Sequence, residues 1–301
     1  MIILKSTLHK TIWGGNRLSH YYGEENLNET VGHLYLVNGH KNECSTAIMN
    51  GKYKGKLLCD CFEEIKHSWG LEDFKEFPLT IALVDATNDL SIQVHPDDKT
   101  AERLEGLKIG KTESWFFLEK PTKGWIYAGC LLSNKEDLID AVRNGEMENI
   151  TAQLPVERGD YVCVHSGTLH AMTAGSLVYE IEYGGDYTYR FYDFDRKDKN
   201  GNNRELHIEK ALESIDTNAM ARNVHMQEGI WISEQYYKIC LTTVDYIYRN
   251  AGNEIECIVL LSGRFRIEGQ IANLGISVLL FPGEEIEFDS ESKIIIAELV
   301  R

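Results

Sequence analysis

Hydrophobic and polar positions alternate with a period of two through most of this chain. TESWFFLE, YVCVHS, LVYEIEY, YTYRFYDF, YKICLTTVDYIY, CIVLLSGRFRIEG, ISVLLFPG and KIIIAELV are rich in Val, Ile, Tyr and Phe, and glycine or charged turns bound them. Such segments predict strands that bury one face. Helical periodicity is rarer. KLLCDCFEEIKHSW places Leu58, Phe62, Ile65 and Trp69 on one stripe. SNKEDLIDAVRNGE opens with Ser133 and Glu136 at capping-box spacing. RELHIEKALESI places Ile208, Ala211, Leu212 and Ile215 on one face. The pattern predicts a mostly-β protein with helical additions, of sandwich or jelly-roll type. From Trp231 to Arg301 the chain reads as almost all strand. That shift predicts a larger domain over 1–225 and a small C-terminal β domain over 226–301.

Charge narrows the partners. Lys and Arg number 31 against 47 Asp and Glu, a formal net charge of −16 over 301 residues. A surface this acidic repels phosphate backbones and anionic lipid, and there is no basic arm to offset it. Nucleic-acid and membrane binding are not expected. An anionic substrate would need a local pocket of positive charge. MIILKSTLHKTIWGG does not read as a signal peptide, and no apolar run approaches membrane-spanning length. Seven cysteines with no CxxC pair fit a reducing cytoplasm. CDC at Cys59 to Cys61 reads as helix packing before it reads as a metal site.

Three segments carry side chains that suit a metal. In SIQVHPDD, Ser91, Gln93 and His95 share one strand face while Ile92 and Val94 share the other, and Pro96 ends the run. In GKTESWFFLE, Glu113 and Trp115 share a face, with Lys111 just before them. In GDYVCVHSGTLH a strand begins at Asp160, Ser166-Gly167 turns, and His170 starts the return strand. Two imidazoles and a carboxylate suit a divalent ion such as zinc, and Gln93 offers a fourth ligand oxygen. The spacing excludes a local helical motif, so several strands must assemble the site. A fourth segment, SLVYEIEYGGDYTYRFYDFDR, sets Glu180 and Glu182 on one face and Arg190 between two aromatics. Two readings of Arg190 stand at this point: a guanidinium presented to a phosphate or an enediolate oxygen, or a structural ion pair with Glu180 or Asp186.

PLTIALVDATNDLSIQVHPDD, GKTESWFFLE, GDYVCVHSGTLHAM and LVYEIEYGGDYTYRFYDFDR, in that order and with those gaps, resemble the type I mannose-6-phosphate isomerases, in particular the short bacterial form. TIWGG and RELHIEKAL fit as well. The similarity runs from about Trp13 to about Ile215, and the rest fits only in size and β character. The resemblance implies a cupin-like jelly roll with a second small β domain. It implies one Zn2+ per chain on His95, Glu113 and His170, with Gln93 as a further ligand, and a hexose 6-phosphate substrate. It implies interconversion of mannose 6-phosphate and fructose 6-phosphate through an enediolate. Arg190 matches the catalytic arginine, and Ser91, Lys111 and Glu180 fall on active-site positions. The base stays open between Glu180 and a water at the metal, as does the choice of Lys111 or Arg190 for the phosphate.

The chain also departs from the family. Ala82 stands where a lysine is usual, GHLY at Gly32 to Tyr35 replaces Gly-Glu-x-Trp, and His165 replaces a proline. These departures motivate an alternative, a non-catalytic or altered-specificity sugar-phosphate-binding cupin paralogue. LLFPGEEIEFDSES has no histidine near it, so no second metal is expected there, and the C-terminal domain is assigned a structural or lid role. The oligomeric state is not legible.

Overall fold

The structure, a computed structural model, describes residues 1–22, 30–198, 200–267, 270–272 and 274–300. It is mostly β, as the alternation predicts, and every pairing given below is antiparallel. The chain divides into two compact units. One holds Met1–Thr11, Asn16–Leu83 and Met226–Arg301, and the other holds Ile12–Gly15 and Val84–His225.

The first unit is built on a sheet in the strand order Trp231–Ser233, Tyr237–Val244, Ser292–Leu299, Glu256–Ser262, Ile276–Leu280, Ile2–Lys5 and Ala47–Ile48. The N-terminal strand thus closes onto the C-terminal segment, with Ile3 opposite Val278. A smaller sheet of Ile247–Arg249, Glu285–Phe288, Phe265–Ile267 and Gln270–Ala272 belongs to the same unit. Ile258, Leu260, Val278, Ile286, Phe288, Ile294 and Ile296 alternate along these strands and form a common core. Two runs that read as single strands are broken. YKICLTTVDYIY turns after Val244, and CIVLLSGRFRIEG turns at Gly263, whose φ of 97° suits glycine. Helix Leu58–Ile65 buries Leu58, Phe62 and Ile65 of the stripe seen in the sequence, whose Trp69 is buried in the short 3-10 helix Lys66–Trp69 that follows, and it buries Cys61 with them as a packing residue.

The second unit holds the predicted site. In one sheet, Arg222–His225, Asp160–Val164, Lys111–Glu119 and Leu177–Gly184 lie side by side. The other sheet runs Tyr189–Tyr192, Ile92–Val94, His170–Ala171, Trp125–Cys130 and Thr151–Pro155. Ile92 and Val94 are buried in a core with Tyr127, Leu169, Ala171, Tyr189 and Phe191. Ala211 and Ile215, from the helix Ile208–Ser214 and its C-cap, pack against the same core. The helix at Lys135–Asn144 begins one residue later than the capping-box spacing predicts. Its cap is Asn134, whose side chain accepts the Asp137 N–H at 2.9 Å. Asn is at least as good a cap as Ser, and the adjacent residue wins the geometry. Among the described residues, no helix is long and apolar enough to cross a membrane.

Candidate active site and metal centre

Strand pairing brings the three sequence-predicted ligands together. Gln93 lies opposite His170 in one sheet, and Arg190 lies opposite Gln93 from the other side. Glu113 lies between Val164 and Glu182 in the other sheet. The two sheets meet at a cluster in which His95, Glu113 and His170 each offer a ligand atom within 4.8 Å of the others. All three are buried.

The hydrogen bonds of the two imidazoles decide what the cluster can hold. His95 Nδ1 donates to the Tyr187 carbonyl at 2.5 Å, and His170 Nδ1 donates to the Thr168 carbonyl at 2.8 Å. A carbonyl only accepts, so each neutral ring keeps its lone pair on Nε2. Those lone pairs face Glu113, at 2.9 Å for His95 to Oε2 and 3.3 Å for His170 to Oε1. His95 Nε2 is buried with no hydrogen-bond partner. Burial pushes His95 down to about 4, which keeps the ring neutral and able to ligate. Acceptors crowd in this way only around a positive centre, and backbone carbonyls that fix metal-facing tautomers are what such sites require. The donor set of two nitrogens and a carboxylate fits a divalent ion of the zinc class.

Ser91 and Gln93 stand behind this cluster. Ser91 Oγ donates to Gln93 Oε1 at 3.0 Å, and the Gln93 Nε2 is 3.3 Å from His170 Nε2. Rotating the amide would turn its oxygen toward the imidazoles and its nitrogen toward Ser91, so the same residue can serve as a ligand. Ser91 holds that amide in place.

Lys111 and Glu180 belong to a second layer of charge. Lys111 Nζ is 2.7 Å from Glu182 Oε1 and 3.2 Å from Glu113 Oε2. Burial alone would lower Lys111, but Glu182 and Glu113 outweigh it and raise it well above the ordinary range. Burial likewise opposes ionisation of Glu113, yet it stands well below the usual carboxyl range, with the positive charge of Lys111 beside it among the causes. Glu180 accepts the Trp115 indole N–H at 2.9 Å. Burial and the charges of Glu182 and Glu113 push Glu180 well above the usual range.

Arg190 sits in a cluster that the sequence reading did not assemble. Its Nε is buried without a hydrogen-bond partner. Burial lowers its pKa, and Asp193 is the carboxylate that most opposes this. Asp193 Oδ1 accepts from Arg196 Nη2 and, at 3.3 Å, from Arg204 Nη1. Burial and the like charge of Arg190 push Arg204 down to about 10. Three guanidiniums near one carboxylate make a local cationic cluster in an acidic protein. Phe194 and Asp195, at φ 55° and 51°, turn the chain so that Asp193 and Arg196 meet. Asp193 and Arg196 were present in the quoted YDFDR, and Arg204 in RELHIEKAL, but their meeting depends on the turns between them, which side-chain periodicity does not describe. The backbone carbonyls of Tyr187 and Thr168 leave no mark in a sequence.

Residues 1–111 match the family model described as phosphomannose isomerase type I, catalytic domain. A mannose-6-phosphate isomerase of Streptococcus mutans is 38% identical over 214 residues, 71% of this chain and 67% of that protein. Mannose-6-phosphate isomerase ManA of Bacillus subtilis is 32% identical over 268 residues, 89% of this chain and 80% of that protein. A crystal structure of mannose 6-phosphate isomerase from Bacillus subtilis superposes with a TM-score of 0.79 at 27% identity, covering 98% of both chains. The architecture common to them is the cupin-like one that the motifs implied.

Proposed function

The chain belongs to the type I phosphomannose isomerase family, and from that premise we propose that it interconverts mannose 6-phosphate and fructose 6-phosphate with zinc on His95, Glu113 and His170. The observation that carries the metal reading is the pair of Nε2 lone pairs aimed at Glu113, one of them buried without a partner. When bound, the ion supplies a fixed positive charge that polarises the substrate's oxygens.

The chain's own residues supply the rest. Going from aldose to ketose, a proton leaves C2 and one arrives at C1, while a hydroxyl proton passes from the C2 oxygen to the C1 oxygen. Glu180 is the carboxyl suited to move the carbon-bound proton, because a raised pKa brings it toward the operating pH. Lys111 balances Glu113 and Glu182, so that three converging carboxylates coexist. Arg190, with Arg204 beside it, receives the dianionic phosphate. Gln93, held by Ser91, completes the metal-facing wall. This assignment gives the phosphate to the arginine pocket and keeps Lys111 for the carboxylates.

A coupled assay from mannose 6-phosphate to fructose 6-phosphate tests the reading. Activity should vanish with chelator and return with zinc. The alternative of a sugar-phosphate-binding paralogue rests on Ala82, a position where the resembled family carries lysine. Tight binding of hexose 6-phosphates by the zinc-loaded protein with no turnover would favour it.

A further inference from the structure

A second group of metal-ligating side chains lies in the first unit. His9 comes from strand Thr7–Gly15, and Glu43 and Cys44 come from the turn that follows strand Val31–Val37. His9 Nδ1 is 3.3 Å from Cys44 Sγ and 3.8 Å from Glu43 Oε1. All three ligand atoms lie within 4.8 Å of one another. One ring nitrogen has a single hydrogen-bonding position, yet a thiol and a carboxylate both converge on it. Ligands on a tetrahedral ion at bond lengths of about 2.0–2.3 Å stand roughly 3.3–3.8 Å apart, which is the spacing of both pairs made by His9.

The surroundings fix this arrangement. Asn42 Oδ1 accepts the Cys44 N–H at 2.9 Å, Ser45 Oγ donates to the Asn38 carbonyl at 3.1 Å, and the Thr46 N–H donates to the same carbonyl at 3.0 Å. The turn therefore presents Cys44 on a braced backbone. His33 and Tyr35, from the GHLY segment that departs from the resembled family, stack at 5.2 Å, and the His33 ring is 5.9 Å from that of His9. Cys44 is buried, His9 half-buried and Glu43 exposed, so an ion would reach the thiol from the solvent side.

We propose that His9, Glu43 and Cys44 bind a second divalent ion of the zinc class, in a structural site that fastens strand Thr7–Gly15 to the turn at 38–46. Imidazole, thiolate and carboxylate together suit zinc or cobalt and disfavour magnesium and calcium. Binding forms a metal–sulfur bond and releases the thiol proton to water.

The sulfur makes the test independent of the isomerase reading, because His95, Glu113 and His170 contain none. Chelator-stripped protein is titrated with Co2+ and the near-ultraviolet thiolate-to-cobalt charge-transfer band is recorded. The band should appear and saturate at the intensity of one thiolate-bound Co2+ per chain, within two equivalents in all because His95, Glu113 and His170 take an ion as well. It should disappear in Cys44→Ser, weaken at least tenfold in apparent affinity in His9→Ala, and persist in His95→Ala and Cys59→Ser. His9→Ala alters no core side chain and decides the matter if Cys44→Ser fails to fold. Absence of the band from the wild-type protein, or its survival unchanged in His9→Ala or Cys44→Ser, overturns the proposal. Absence of isomerase activity would leave the band where it is.

Discussion

Lys111 is bound to Glu182: its Nζ lies 2.7 Å from Oε1, with Glu113 Oε2 3.2 Å away on the other side. The lysine is buried, and it neutralises carboxylates rather than reaching toward solvent. Replacing it by methionine leaves Glu113, Glu180 and Glu182 converging with no lysine between them. Breaking a buried pair costs about 3–5 kcal/mol. Lys111→Met should lose that much in urea unfolding. Its kcat should fall while KM for mannose 6-phosphate moves little, because the proposed phosphate site is the arginine cluster.

The arginine pocket should show the opposite kinetic pattern. Arg204 is half-buried, shares Asp193 with Arg196, and feels the charge of Arg190. A charge-assisted hydrogen bond is worth about 1.5–3 kcal/mol, or roughly 10–150-fold in affinity. Arg204→Gln should raise KM for mannose 6-phosphate by about that factor with a smaller change in kcat. It should also weaken competition by inorganic phosphate in the same assay. An unchanged KM would move the phosphate away from this pocket.

Much of this site was legible because strand periodicity is simple. A period of two puts Ser91, Gln93 and His95 on one face and Ile92 and Val94 in the core, and the structure keeps that division. His170 was legible because it follows a glycine turn, with Gly167 at φ 82°. The meeting of Arg190, Arg204 and Asp193 was not, since it depends on the turn at Phe194 and Asp195 and on the path of the irregular segment up to Arg204. Nor was the partner of Lys111, because Glu182 becomes its neighbour only through the register that sets Gly184 opposite Lys111. The helix cap at Asn134 differs from the capping-box reading because two adjacent residues were both good caps and spacing alone does not choose between them.

A pH effect on stability should arise from a carboxylate pair in the first unit. Glu256 lies opposite Glu298, and both are buried. Lys238 takes Glu298 at 3.0 Å, and Glu256 accepts the Tyr248 hydroxyl at 3.0 Å. Burial, with the charge of Glu298, pushes Glu256 up to about 7 from an ordinary 4.5. The folded state therefore holds this proton more tightly than the unfolded chain. Its contribution to stability is full below about pH 4.5 and is lost as pH rises through about 7. The size is roughly 3 kcal/mol, at about 1.4 kcal/mol per unit. Glu256→Gln keeps an acceptor for Tyr248 and removes the titration. It should be more stable than wild type at pH 8 by about that amount and nearly equal at pH 4.5, as read by urea midpoints across the range.

Glu180 can be separated from metal binding. Its carboxyl accepts the Trp115 indole N–H and converges with Glu113 and Glu182, whereas the two imidazoles gather on Glu113 alone. A general base contributes typically about 10²–10⁴-fold to a rate. Glu180→Gln preserves shape and the indole hydrogen bond, so it should lower kcat by a factor in that range and leave zinc content and KM close to wild type. Trp115→Phe removes one donor to the ionised carboxylate and leaves the carboxyl in place. The proton is then held more tightly, so the acid limb of kcat/KM should move to higher pH. Glu180→Gln with near-normal kcat would remove Glu180 from the proton transfer. Loss of zinc in that variant would show instead that the carboxylate helps to hold the metal.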